Sequence, residues 1–243
     1  MKKLYNCYFL SRSGSHAIRD WICNQIEYVE KKQGHHHFVM ITEYDDIMIE
    51  NYERDRIKFE HKSLLDRKKK VLGDDRSERD KCAIIILRDP FNLFASWSYN
   101  RILQKLKIKE IKNFADIWKE HAREFLGDTD NFNSKICISY NKWFVSVEYR
   151  KELCDKFGMK FTDEGKNKLS LSGNGSSFNG MDKRFRKHAD RLDTLNRWKV
   201  FLIEDKYDSY KKNFMEVFKD HELISLSKRI FGQIEGTEVL FQK

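Results

Sequence analysis

The residues best equipped for chemistry stand in one run, Phe9-Leu10-Ser11-Arg12-Ser13-Gly14-Ser15-His16. Ser13, Gly14 and Ser15 have short or absent side chains, so main-chain N–H groups there can point outward. A helix starting at such a turn leaves its first amides unpaired, and its dipole adds partial positive charge; both attract anions. Arg12 sets a permanent cation beside the turn, and the two serine hydroxyls add donors. The stretch reads as a cradle for a phosphate or phosphosulfate. The same residues also suit a plain turn ending in a serine N-cap. The nucleoside-triphosphate loop does not fit, because the spacing Gly-x-x-x-x-Gly-Lys-Ser/Thr is absent.

A second group lies at Arg88-Asp89-Pro90, with Ser96 eight residues after Arg88. Asp89 is a good N-cap, and proline suits the first position of a helix. Pro90 is the only proline, where average usage predicts roughly a dozen. His61 could act as a base near neutral pH, although a histidine beside apolar Phe59 is more often structural. His35-His36-His37 suggest a metal, but only His35 and His37 share a strand face and no third ligand follows nearby. They read as a loop or strand start.

These residues need elements to hold them. Leu4 to Leu10 is a compact apolar run, and Ile18, Trp21, Ile22 and Ile26 recur at helical spacing, so the cradle sits between a strand and a helix. Phe38–Ile41 reads as a strand, residues 44–56 as a short helix and loop, and Arg56–His61 as a short strand by alternation. Cys82–Leu87 is a continuous apolar run with three β-branched isoleucines, as expected of a central parallel strand. It delivers Arg88 to a strand's carboxyl end, where open α/β sheets bind ligands, and a helix is predicted over Phe91–Ile102. Residues 111–126 form an amphipathic pattern. Lys135–Tyr140 reads as a short strand, and Trp143–Phe157 as a helix capped by Gly158. Leu169–Gly180 is rich in Ser, Gly and Asn and could cover a ligand; Leu195–Phe231 reads as amphipathic helices.

The chain has 243 residues, enough for one domain with a sizeable core. Lys and Arg number 47 against 38 Asp and Glu, a net charge of +9. That excess suits an anionic ligand; the short basic runs, such as Arg67-Lys68-Lys69-Lys70, read as solvated faces rather than a nucleic-acid surface. The five cysteines are odd in number and widely spaced. They predict reduced, buried thiols in a cytoplasmic protein. No run approaches the ~20 apolar residues of a membrane span.

In order, these features resemble the sulfotransferases that use 3′-phosphoadenosine-5′-phosphosulfate, from about residue 4 to residue 215. The resemblance implies an α/β fold with a central parallel sheet flanked by helices, related to nucleotide kinases. It implies that Arg12, Ser13, Gly14, Ser15 and His16 contact the 5′-phosphosulfate, with Arg12 also catalytic, and that Arg88 and Ser96 form the 3′-phosphate site. It implies His61 as catalytic base, because Phe59-Glu60-His61 falls where the family has Lys-Thr-His. Tyr140 resembles the family's tyrosine after a strand. Ser177 and Phe178, within Ser176-Ser177-Phe178, resemble its segment near the adenine, and Trp198-Lys199 its late Trp-Lys pair. The family's Arg-Lys-Gly motif has two partial counterparts, Arg186-Lys187 by sequence and Arg191 by distance from Trp198. Arg12 replaces the family's loop lysine; it can hold charge but cannot give up a proton.

The reaction so implied moves a sulfuryl group from the nucleotide to a hydroxyl or amine, with no metal. The acceptor and the oligomeric state stay open. A nucleotide kinase-like phosphotransferase is the alternative enzyme, disfavoured by the missing loop lysine and the lack of a clear carboxylate for Mg²⁺. A non-catalytic nucleotide- or RNA-binding protein is the third reading. The end, Glu238-Val239-Leu240-Phe241-Gln242, resembles a viral 3C-protease recognition sequence from an expression vector. Residues 236–243 are therefore set apart as a tail from a single domain over 1–235.

Overall fold

A computed structural model describes residues 3–10, 12–25, 29–31, 38–42, 47–51, 81–99, 108–167, 192–203 and 208–240. In chain order the strands are β1 (Lys3–Phe9), β2 (Val29–Lys31), β3 (Phe38–Thr42), β4 (Ile47–Asn51), β5 (Lys81–Leu87) and β6 (Lys135–Ser139). The described helices are α1 (Ser15–Asn24), α2 (Pro90–Tyr99), α3 (Ile108–Leu126), α4 (Tyr140–Val145), α5 (Val147–Phe157), α6 (Arg197–Ile203), α7 (Asp208–Val217) and α8 (His221–Phe231). The strands form one sheet in the order β2-β3-β4-β1-β5-β6. β4, β1, β5 and β6 run parallel, and β3 and β2 add to the β4 edge antiparallel. The fold class is α/β, as expected, but the sheet is mixed rather than wholly parallel.

The parallel part is buried on both faces, which explains the unbroken apolar character of β5. Cys7, Phe9, Ile84, Ile86 and Ile138 face one side, against Ile18, Trp21 and Ile22 of α1 and Trp143, Leu153 and Phe157 of α4 and α5. Tyr8, Ala83 and Ile85 face the other side with Phe132. A second core joins α2, α3, α6, α7 and α8 through Phe94, Trp97, Trp118, Trp198, Phe214 and Leu223. The tail stays with this core as far as Thr237, which is buried, while Gly236 lies against Trp198.

Two expectations are corrected. Residues 47–51 form a strand, where a short helix and loop were expected. Ile47, Met48 and Ile49 stand opposite Lys3, Leu4 and Tyr5 of β1, and the two β-branched isoleucines favour a strand. The helix expected over 143–157 is two helices meeting at Ser146. That serine ends α4 by donating its N–H to the Lys142 carbonyl and starts α5 by accepting from the Tyr149 amide through Oγ. Gly158 closes α5 in the left-handed conformation, as predicted. α2 is described as far as Tyr99; Ile102, the three histidines, and the expected strand over 56–61 lie outside the described residues.

Candidate functional site

The registers place three segments at one end of the sheet. Phe9 pairs with Ile86, so the turn after β1 and Arg88 after β5 stand level; Leu87 pairs with Ser139, so Tyr140 stands beside them. After β1 and α1 the chain forms β2, β3 and β4 on one side of β1, and β5 lies on the other side. The end of β1 is therefore a point where the strand order reverses, the place where open α/β sheets hold ligands.

The turn itself is tightly specified. Ser13 donates its amide to the Leu10 carbonyl at 3.1 Å, and the Gly14 carbonyl accepts from Ala17 and Ile18 as α1 begins. Arg12 has φ 72° and Gly14 φ 85°. For arginine that left-handed backbone is strained, whereas glycine adopts it freely. A Cβ on Gly14 would come within 2.1 Å of the Tyr140 ring. We therefore expect Gly14→Ala to destabilise the fold by about 1–3 kcal/mol, the usual effect of overpacking. Denaturant unfolding checks this. In the double variant with Tyr140→Ala the loss should shrink, because removing the ring removes the clash.

Arg88 leaves β5 straight into the site and is only 2% exposed. Its Nη1 donates to the Arg12 carbonyl at 3.1 Å and its Nη2 to the Thr194 carbonyl. Its guanidinium lies 5.0 Å from the Tyr140 ring centre, a cation–π distance. Trp118, fully buried on α3, donates its indole N–H to the Arg88 carbonyl at 3.0 Å. Asp89 and Pro90 start α2 as predicted: the Asp89 carboxylate accepts from the Asn92 amide at 2.8 Å. It also accepts from the side-chain amides of Asn92 and Asn141.

Ser96 is buried on α2 and joins two further arginines. Its Oγ accepts from Arg12 Nε at 3.3 Å and from Arg197 Nη1 at 3.0 Å. Arg197 opens α6 and is 5% exposed. Asn92 fixes it there, accepting from the Arg197 amide at 2.8 Å and donating to the Leu195 carbonyl at 2.9 Å. Burial first, and then the charge of Arg88, push the Arg12 guanidinium down to about 10. Burial and the same neighbour, with Arg12 adding to it, push Arg197 down to about 9. Ser13 Oγ, Thr194 Oγ1 and Arg88 Nε are buried and have no hydrogen-bond partner among the described residues. Burying such groups unpaired is unfavourable. Three guanidinium groups and two orphan hydroxyls at one sheet end suit an oxyanion.

Of the residues singled out in the sequence, Arg12, Ser13, Gly14, Ser15, His16, Arg88, Ser96 and Tyr140 come together at this end of the sheet. His16 is half-buried on the first turn of α1. His61, Ser177, Phe178, Arg186, Lys187 and Arg191 lie outside the described residues. Trp198, expected in a late motif, is a core residue packed 6.4 Å from the Phe91 ring. Arg197 was not foreseen. It stands outside the basic run 181–191, and only its place beside Trp198 could have drawn notice. No family model matches the chain, and searches of curated proteins and of solved structures likewise found no match.

Proposed function

We propose that this protein is a sulfotransferase that uses 3′-phosphoadenosine-5′-phosphosulfate as donor and a hydroxyl or amine compound as acceptor. One observation carries the reading: Arg12, Arg88 and Arg197 converge with Ser96 at the reversal point of the sheet, beside the turn that opens α1. Such a cluster suits a ligand with more than one phosphate-type group, and the order of the motifs along the chain supports this donor. Each residue fits a role. The amides of Gly14 and Ser15 have no acceptor among the described residues and lie where a helix dipole favours negative charge. Ser13 Oγ can donate into the same place. Arg12 stabilises the charge that develops on the bridging oxygen as the sulfur–oxygen bond breaks. Ser96 lies in the cationic cluster that receives the 3′-phosphate. Tyr140 sets its ring beside Arg88, with Trp143 and Phe144 packed against it at 5.7 and 5.8 Å. His61 removes the acceptor proton. The donor, when bound, supplies the sulfuryl group, which leaves the phosphate for the acceptor oxygen or nitrogen.

The donor assignment is tested by thermal shift. Adenosine 3′,5′-bisphosphate should raise the melting temperature by an amount set by its concentration over Kd. AMP at the same concentration should raise it much less. Equal shifts from both would remove the 3′-phosphate site. A larger shift with ATP than with the bisphosphate would favour the phosphotransferase reading, and a shift with a short RNA alone the binding-protein reading. No described helix is long and apolar enough to cross a membrane.

A further inference from the structure

Three separate segments bring Arg88 after β5, Tyr140 at the start of α4 and Arg197 at the start of α6 to the site. One buried carboxylate joins them. Asp89 and Asn92 are both fully buried. Asp89 Oδ1 accepts from the Asn92 main-chain amide at 2.8 Å and from Asn92 Nδ2 at 3.1 Å. Asp89 Oδ2 accepts from Asn92 Nδ2 at 3.1 Å and from Asn141 Nδ2 at 2.8 Å. None of these partners is a cation. Asn141 closes a ring, since its Oδ1 accepts from the Asp89 amide at 3.2 Å. Asn92 reaches on to α6, donating to the Leu195 carbonyl at 2.9 Å and accepting from the Arg197 amide at 2.8 Å. A carboxylate suits this hub because every side-chain group aimed at it is a donor. An amide offers one oxygen and would turn its NH2 toward one of the two asparagines. The N-cap of α2 needs only one acceptor, which asparagine would supply as well. The second oxygen has a use beyond the cap: it holds α4.

We propose that Asp89 is a positioning residue that sets the spacing of Arg88, Tyr140 and Arg197, acting through the side-chain amides of Asn92 and Asn141. The inference rests on this end of the sheet being an anion site, and adds to it what keeps the three segments in register. Position and charge predict opposite signs here. A carboxylate next to a cationic site opposes an anion there, so losing its charge alone should tighten binding. Losing the junction should weaken it.

Calorimetry on the full chain with adenosine 3′,5′-bisphosphate and inorganic sulfate, run well below the melting temperature, reads the sign. In Asp89→Asn the oxygen stays on the Asn92 amide as an N-cap, and the new NH2 meets the NH2 of Asn141, so α4 loses its tie. Bisphosphate affinity should fall about tenfold, the low end for losing a group that orients binding side chains. Asn141→Asp added to that variant supplies two oxygens, one for the new NH2 and one for the main-chain amide of position 89. It should restore most of the loss. Asp220→Ala is the control: it removes an N-cap of α8 whose bonds run to Lys119, Glu222 and Leu223. It should lower the melting temperature and leave affinity unchanged. Tighter or unchanged binding in Asp89→Asn overturns the positioning role. So does a loss that Asn141→Asp fails to restore. Should Asp89→Asn fail to fold, Asn141→Ala carries the test: weaker binding supports the junction and unchanged binding overturns it. A wild type that binds sulfate and not the bisphosphate overturns the proposed donor, and the same loss and rescue read with sulfate supports the junction. A wild type that binds neither overturns the anion site and the positioning role together.

Discussion

Arg12→Gly is expected to slow turnover about 10²–10³-fold, the usual effect of removing one stabiliser of transition-state charge, while the folded protein keeps or gains stability. The two effects separate because Arg12 combines a cation with a strained backbone. At φ 72° a residue with a Cβ gives up roughly 1–2 kcal/mol that glycine does not. The variant also removes a buried guanidinium pressed against Arg88. Against these stand the greater chain entropy of glycine, about 0.5–1 kcal/mol, and the lost bond to Ser96. Arg12→Ala removes the same cation and keeps the strain, so it should match the glycine variant in rate and fall below it in melting temperature. Turnover is read as transfer of labelled sulfate from the donor to a panel of phenols, amines and glycans. Normal turnover in Arg12→Gly would take Arg12 out of the chemistry. Equal melting temperatures in the two variants would show that the left-handed turn stores no strain.

What could be read from the sequence follows from how local each signal is. β5 and the start of α2 were legible because their causes are contiguous. Cys82–Leu87 is apolar throughout, and Asp89 and Pro90 satisfy a helix start with their own atoms. The turn after β1 was legible for the same reason, since short side chains between a strand and an apolar helix face have few other uses. β4 was not, because Ile47, Met48 and Ile49 sit among acidic and polar residues and become a strand only by pairing with β1, more than 40 residues away in the chain. The break at Ser146 was missed because the apolar spacing of α4 and α5 runs through it; the serine acts as cap for both helices. Arg197 was missed for the deepest reason. Nothing in Asn196-Arg197-Trp198 distinguishes it from a surface arginine. Its burial is made by Asn92, Ser96 and Arg88, which approach it across some hundred residues of chain. Arg88 shows the converse: its position was legible, but that its terminal nitrogens hold two carbonyls depends on where the other segments lie.

His61→Ala should lower turnover by about 10²–10⁴-fold, the usual worth of a general base, and leave bisphosphate affinity and melting temperature near those of the wild type. His61 is outside the described residues, in the connection between Asn51 of β4 and Lys81 of β5. β4 is parallel to β1 and ends at Asn51, on the same side of the sheet as the Arg12 turn. The connection that carries His61 thus leaves the sheet at the edge of the site, and it returns as β5 at the opposite end. The strand beside β1 is formed by residues 47–51; the expected strand over 56–61, which ends at His61, lies outside the described residues. This makes pH the discriminating variable. A histidine base works when neutral, so kcat/KM should rise with pH as the base loses its proton. The rise should vanish in His61→Ala. A histidine that only packs beside Phe59 predicts the other pattern, a lower melting temperature with the pH profile kept. A folded His61→Ala protein with near-normal turnover and the same rise would pass the role to another group on the 52–80 connection, and Glu60, whose carboxylate would need its own pKa raised to act there, would be the next residue to change.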